Sequence, residues 1–199
     1  MRSLNRLVAP SVLAFWMLLL IDAPGQGQSS TEQAKLALNR PFPADAEIAR
    51  RELLAAGQSA ITVVAGAFRS ETPATHVRLA FLVDVLFSFE SPGSYTALYD
   101  LLSDPRPFVR GHVAQRLGRK KVECAVPRLI EKLSDGSEFA QEVSTDPNHT
   151  RSLLVSDSAL AALSSITGVA PVRPGPAASS RSKFEKWWKR NSKRLSCPQ

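Results

Sequence analysis

Three stretches decide the fold: Thr75–Leu86, THVRLAFLVDVL; Phe108–Gly118, FVRGHVAQRLG; and Leu154–Gly168, LVSDSALAALSSITG. Val77, Phe81 and Val85 stand 32 residues before Val109, Val113 and Leu117, which stand 46 before Val155, Ala159 and Leu163. Apolar residues four apart line one side of a helix, so each stretch reads as an amphipathic helix with a buried stripe. A period near 32 with two helices per unit is the mark of an α-solenoid. Such a fold offers a binding surface before it offers a reaction.

The intervening segments supply the partner helices. Ala44–Ala56 places Ile48, Ala49, Leu53 and Ala56 at helical spacing and stops at Gly57. Ser59–Arg69 is nearly continuous apolar; β-branched content allows a strand, but Ala125-Val126-Pro127-Arg128-Leu129 fills the equivalent place one unit later and favours a helix. Thr72-Pro73 opens the next helix, and Ser91-Pro92-Gly93 closes it. Ser94–Ser103 carries a one-sided stripe, Asp104-Pro105 starts another helix, and Gly118 ends it. Val122–Leu133 follows, and Leu133-Ser134-Asp135 echoes Leu102-Ser103-Asp104 at an offset of 31. Thr31–Asn39 is a short leading helix, stopped at Pro41-Phe42-Pro43.

These residues resemble the HEAT-like repeats of bacterial proteins, through Leu102-Ser103-Asp104-Pro105, Val109-Arg110, Val113-Ala114, Leu117-Gly118, Ala125-Val126-Pro127-Arg128-Leu129-Ile130 and Leu133. The resemblance implies an all-α fold, a short α-α superhelix of about three helix pairs at 44–168. A leading helix and a basic capping helix would complete it. In that family a turn Asp and an early second-helix Arg stack as a ladder between repeats; Asp104 and Arg110 match those places, and Arg78 matches the Arg of the first unit. Thr72 replaces the first Asp and Ser156 the third Arg, so the ladder is incomplete. Members of the family mostly mediate protein–protein contacts. One branch is lyase-like, which keeps an accessory or lyase-like enzyme subunit as an alternative.

Around this core the chain changes character. Arg2 and Arg6, then the 15-residue apolar run Leu7–Ile21, then Ala23-Pro24-Gly25-Gln26-Gly27 form the layout of a signal peptide over residues 1–28. The chain is therefore expected to be exported, to the periplasm or beyond, or else anchored by this segment. Gly136–Thr150 is a polar insertion of 14 extra residues, expected as a surface loop on the binding side. Residues 169–181 read as a Pro/Ala/Ser linker, and 182–199 as a basic helix and tail. The net charge of +7 comes from the leader and from Arg181–Gln199, so the repeat body is neutral and a nucleic-acid footprint over the whole surface is not expected. Cys124 and Cys197 either bond to each other, as an exported pair would, or remain free thiols.

Candidate functional residues follow from the second-helix face. Arg78, Arg106, Arg110, His112 and Gln115 are the candidates there for a protein partner, with Arg110 and Asp104 also readable as a structural pair. Arg106, Arg116, Arg119, Lys120 and Lys121 form a basic cluster that suits an acidic partner or phosphate unless Glu123, Glu131 and Asp135 offset it. In the last helix, Trp187, Trp188, Lys189 and Arg190 suit a membrane surface through 182–195, or an acidic partner. The plainer expectation is that Phe184 and a tryptophan dock on the last repeat while the cations stay solvated. His76, His112 and His149 lack metal-ligand spacing, and no nucleophile motif, Gly-rich phosphate loop or cofactor signature occurs. The expected function is therefore a non-catalytic interaction scaffold without cofactor or metal. Three repeats are near the minimum for stability, so completion by a homodimer is a further expectation.

Overall fold

The computed structural model describes residues 26–70, 75–143, 150–172, 175–195 and 197. The expected leader lies outside these residues as far as 25, and from Gln26 the chain is already helical. Among the described residues the fold is all-α with one short β-ribbon. Helix α1 spans Gln26–Leu38, α2 Ala46–Ala55, α3 Gln58–Ser70, α4 His76–Ser88, α5 Pro92–Leu101 and α6 Pro107–Arg119. A short 3-10 turn leads into α7 (Val126–Lys132); β1 (Glu138–Val143) and β2 (Thr150–Leu154) follow, then α8 (Val155–Thr167) and α9 (Arg181–Asn191).

Local chemistry sets most boundaries. Thr75 caps α4, its hydroxyl accepting from the Arg78 amide; the expected start at Thr72-Pro73 lies outside the described residues. Ser91 does not close α4. It opens α5, where Ser91 and Ser94 form a reciprocal capping box with Pro92 in the first turn. Likewise α6 starts two residues after the expected Asp104-Pro105, with Pro107 in its first turn. Gly57 and Gly168 both take φ near the left-handed region (64° and 70°), which ends α2 and α8 without a Cβ penalty. Ser59–Arg69 is helical throughout, within α3.

The helices stack in two layers. α2 packs on α4, α4 on α6 and α6 on α8, while α1 packs on α3 and α3 on α5. α7 joins α8, and α9 closes the stack against both. Between the layers one continuous core runs from Ala34 to Phe184, through Leu53, Val64, Leu82, Leu86, Leu98, Leu117, Leu129 and Leu163. Burying each such leucine contributes about 2 kcal/mol.

Three expectations need correction. Val77 is 63% exposed, so it does not belong to the buried stripe of α4. The buried doublets Leu82-Val83 and Leu86-Phe87 instead precede Val113-Ala114 and Leu117-Gly118 by 31 residues, the spacing of the Leu-Ser-Asp echo. Gly118 does not end α6, which runs on to Arg119; a Cβ at Gly118 would sit 2.6 Å from the Ala162 Cα, so glycine is there to let α8 approach. Gly136–Thr150 is not simply a loop. Its flank forms β1, paired antiparallel with β2 and bulged between Glu138 and Ala140, and the Phe139 ring lies where a Gly111 side chain would be. Residues 144–149 of the insertion lie outside the described residues.

The linker expected at 169–181 is partly built into the fold as well. Ala177–Ser180 forms a 3-10 turn against α8 and α9, Ala177 and Ser180 are buried, and the Val172 amide donates to the Ser180 hydroxyl at 2.8 Å.

Candidate functional site

Arginines tie the turns at one end of the helices together. Arg78 donates to the Leu38 carbonyl at 3.0 Å and lies over the Phe42 ring. Arg106 donates to the Phe68 carbonyl at 2.7 Å and is clamped by both oxygens of Asp104. A cation at the last carbonyls of a helix meets the negative end of its dipole, and Leu38 and Phe68 stand in the last turns of α1 and α3. Arg110 reaches further. It pairs with Asp135 at 2.7 Å, donates to the Ser137 hydroxyl at 3.0 Å, and donates to the carbonyls of Asp104 and Pro105. The expected Asp104–Arg110 pair is thus split: Asp104 holds Arg106, and Arg110 meets Asp104 only through its backbone. Burial pushes the Asp135 carboxyl up, but Arg110 and Ser137 pull it down by more, leaving it below the usual carboxylate range. These arginines act inside the molecule.

The surface of the α2/α4/α6/α8 layer is arranged differently. A cavity of about 510 Å³ opens between α2, α4 and α6, lined by Arg50, Asp84, Phe87, Ser88, Arg116, Arg119 and Lys120. Asp84 pairs with Arg116, and His112 Nε2 lies 3.5 Å from its other oxygen, at the far limit of hydrogen-bond distance. Burial raises the Asp84 carboxyl; His112 and Arg116 lower it by more, so its net position is below the usual range. His112 also stacks on Phe108, whose other side meets His76 with ring centroids 4.2 Å apart. Lys120 takes Glu90 as its partner at 2.7 Å.

A second cavity, of about 370 Å³, follows along the same layer between α6, β2 and α8. Gln115 lines it together with Leu153, Ser158, Leu160, Ala161 and Ser164. Gln115 of this cavity and Arg116 of the first are consecutive on α6, and Gln115 Nε2 stands 3.5 Å from Ser158 Oγ. The α2/α4/α6/α8 layer thus carries a strip of two recesses, a cationic one at α2, α4 and α6 and one at α6, β2 and α8 where Arg151 and Asp157 offset each other.

The C-terminal helix is docked. Phe184 is fully buried, and Trp187 and Trp188 both pack against the core. A Cys124–Cys197 disulfide, with Cα atoms 5.3 Å apart, ties the chain beyond α9 to the turn before α7. Lys189 and Arg190 stay exposed on the outer side of α9.

Of the candidates on the second-helix face, Gln115 lines a recess, while His112 lies behind the first one against Asp84. Arg78, Arg106 and Arg110 are spent on internal contacts. In the basic cluster, Arg116, Arg119 and Lys120 come together at the cavity, but Asp84 and Glu90 rather than Glu123, Glu131 and Asp135 provide the counter-charge. Arg50 was not a candidate, because nothing in its local sequence couples α2 to α6. Among the described residues no group of His, Cys, Asp and Glu is placed to hold a metal ion, and no helix is long and apolar enough to cross a membrane. No family model matches the chain, and neither does any curated protein or any solved structure.

Proposed function

We propose that this chain is an exported, HEAT-like helical-repeat module, a non-catalytic scaffold that binds another protein along the outer face of the α2/α4/α6/α8 layer. The observation that carries this reading is the strip itself. One recess is lined from α2, α4 and α6 and the other from α6, β2 and α8, so a partner segment laid across α6 would reach both. Rigid helices hold its side chains, which favours a preformed site. The Cys124–Cys197 bond supports export, since such bonds persist in oxidising compartments. Docking of both tryptophans on the core weighs against membrane insertion through α9.

The test is affinity capture from the envelope fraction, comparing the parent chain with Ala161→Arg and Ser88→Trp, exposed positions that line the strip. A partner held by this face is lost from both variants and retained by Glu131→Arg, an exposed control on α7. Equal recovery by all four chains rules the face out.

A further inference from the structure

We propose that the cavity between α2, α4 and α6 recognises carboxylates, and that the partner segment seated there is acidic. The proposal rests on the interaction-module reading above and specifies its chemistry. Four cations from two helices of one layer, Arg50 of α2 and Arg116, Arg119 and Lys120 at the end of α6, converge on one recess. Their internal counter-charges do not balance them. Asp84 is taken by Arg116, and Glu90 by Lys120. Among the described residues Arg50 has only Glu47 as an ion-pair partner, at 3.8 Å, a side chain that is 75% exposed. Arg119 makes no ion pair among the described residues. Two guanidiniums therefore remain available, and the planar guanidinium fork matches a carboxylate in two parallel hydrogen bonds.

The surroundings differ from those that phosphate sites favour. Asp84 lines the cavity and offsets part of its positive charge. Phe87, Ser88, Arg116 and Arg119 stand in the last turns of α4 and α6, where the helix dipole is negative; phosphate sites favour the opposite end of a helix. Phe87 adds an apolar wall for the methylenes of a glutamate.

The experiment is a fluorescence-anisotropy titration of the full chain with a labelled oligoglutamate peptide, repeated at raised ionic strength and with inorganic phosphate as competitor. The double variant Arg50→Ser/Arg119→Ser is expected to bind about tenfold more weakly, the loss of two charge-assisted contacts. Lys189→Ser/Arg190→Ser, which alters the exposed basic side of α9, is expected to bind as the parent does. Circular dichroism establishes that both variants are folded. The proposal is overturned if the parent chain does not bind the peptide, if the cavity variant binds equally well, if the α9 variant is the one that loses binding, or if phosphate displaces the peptide at matched charge. Capture of a partner that Ala161→Arg loses and Arg50→Ser/Arg119→Ser keeps would leave the interaction module standing and remove its carboxylate chemistry.

Discussion

Arg110 of α6 joins Asp135, 25 residues further along the chain, with two hydrogen bonds of 2.7 and 3.1 Å. Both side chains are largely buried (12% and 16% exposed), and Arg110 also holds the Asp104 carbonyl, so one guanidinium fastens the turn before α6 to the turn before β1. Replacing Asp135 by Asn removes the charge from this joint and is expected to cost about 2 kcal/mol in chemical denaturation. The sign of the pH dependence follows from the depressed Asp135 carboxyl. Its stabilisation is fully present above the unfolded-state value near 4 and is lost as pH falls below that toward the folded-state value. Asp135→Asn should therefore flatten the acid limb of the stability profile. An unchanged limb would mean that the pair does not form in solution.

Tyr99 presents the opposite case. Its hydroxyl is buried with no hydrogen-bond partner among the described residues, and burial, with the nearby Tyr95 second, pushes the phenol up to about 12. An unpartnered buried hydroxyl costs about 1 kcal/mol or more relative to its absence. Tyr99→Phe should raise the denaturation midpoint. Ionisation is harder in the folded state, so the parent chain loses stability as pH rises from the ordinary phenol value near 10 towards 12, and the variant should not show that contribution. A destabilised Tyr99→Phe would reveal a partner for the hydroxyl.

The helical stack was legible because burial and helical period coincide in α6 and α8. Val109, Val113 and Leu117 are buried, as are Val155, Ala159 and Leu163. The first unit was misregistered by one residue: valine at 77 looks like part of a stripe, but position 77 faces solvent and the Leu82-Val83 and Leu86-Phe87 doublets do the packing. The turn echo from Asp104 to Asp135 carried the better spacing, since a turn has fewer tolerated residues than an apolar face. The ribbon was hidden because Glu138–Val143 is short and mostly polar, and its pairing with Thr150–Leu154 needs a tertiary anchor, the Phe139 ring on Gly111. The cavity was half legible. Arg116, Arg119 and Lys120 are adjacent in sequence, whereas Arg50 arrives only when α2 packs on α4 and α4 on α6.

Two glycine substitutions should move stability in opposite directions. Gly66 lies within α3 and a Cβ there meets nothing within 4 Å, so Gly66→Ala should stabilise by about 0.5–1 kcal/mol through helix propensity. At Gly118 the same methyl would fall 2.6 Å from the Ala162 Cα and 2.8 Å from its Cβ. Backbone cannot turn aside as a side-chain tip can, so α6 and α8 must separate. The overpacking cost of about 1–3 kcal/mol exceeds the propensity gain. Thermal unfolding of both variants checks the pair. A stabilised Gly118→Ala would show that α6 and α8 leave room for the methyl in solution.

Two devices hold α9, and their removal should not be additive. The Cys124–Cys197 bond closes a loop across a separation of 73 residues, which in the chain-entropy account stabilises by about 4 kcal/mol. Phe184, fully buried, anchors the helix from within, and Phe184→Ala should cost about 3–5 kcal/mol through the cavity it leaves. With the bond intact the tail stays near its site even when Phe184 is truncated. With the bond reduced, the loss of Phe184 frees α9 altogether. The coupling between Cys197→Ser and Phe184→Ala should therefore differ from zero by about 1 kcal/mol or more in a double-mutant cycle. Limited proteolysis gives an independent check: after reduction, cleavage should begin at the exposed Lys193 and Arg194 while the core helices persist. Additive costs, or a midpoint indifferent to reductant, would mean that α9 does not depend on the bond for its place.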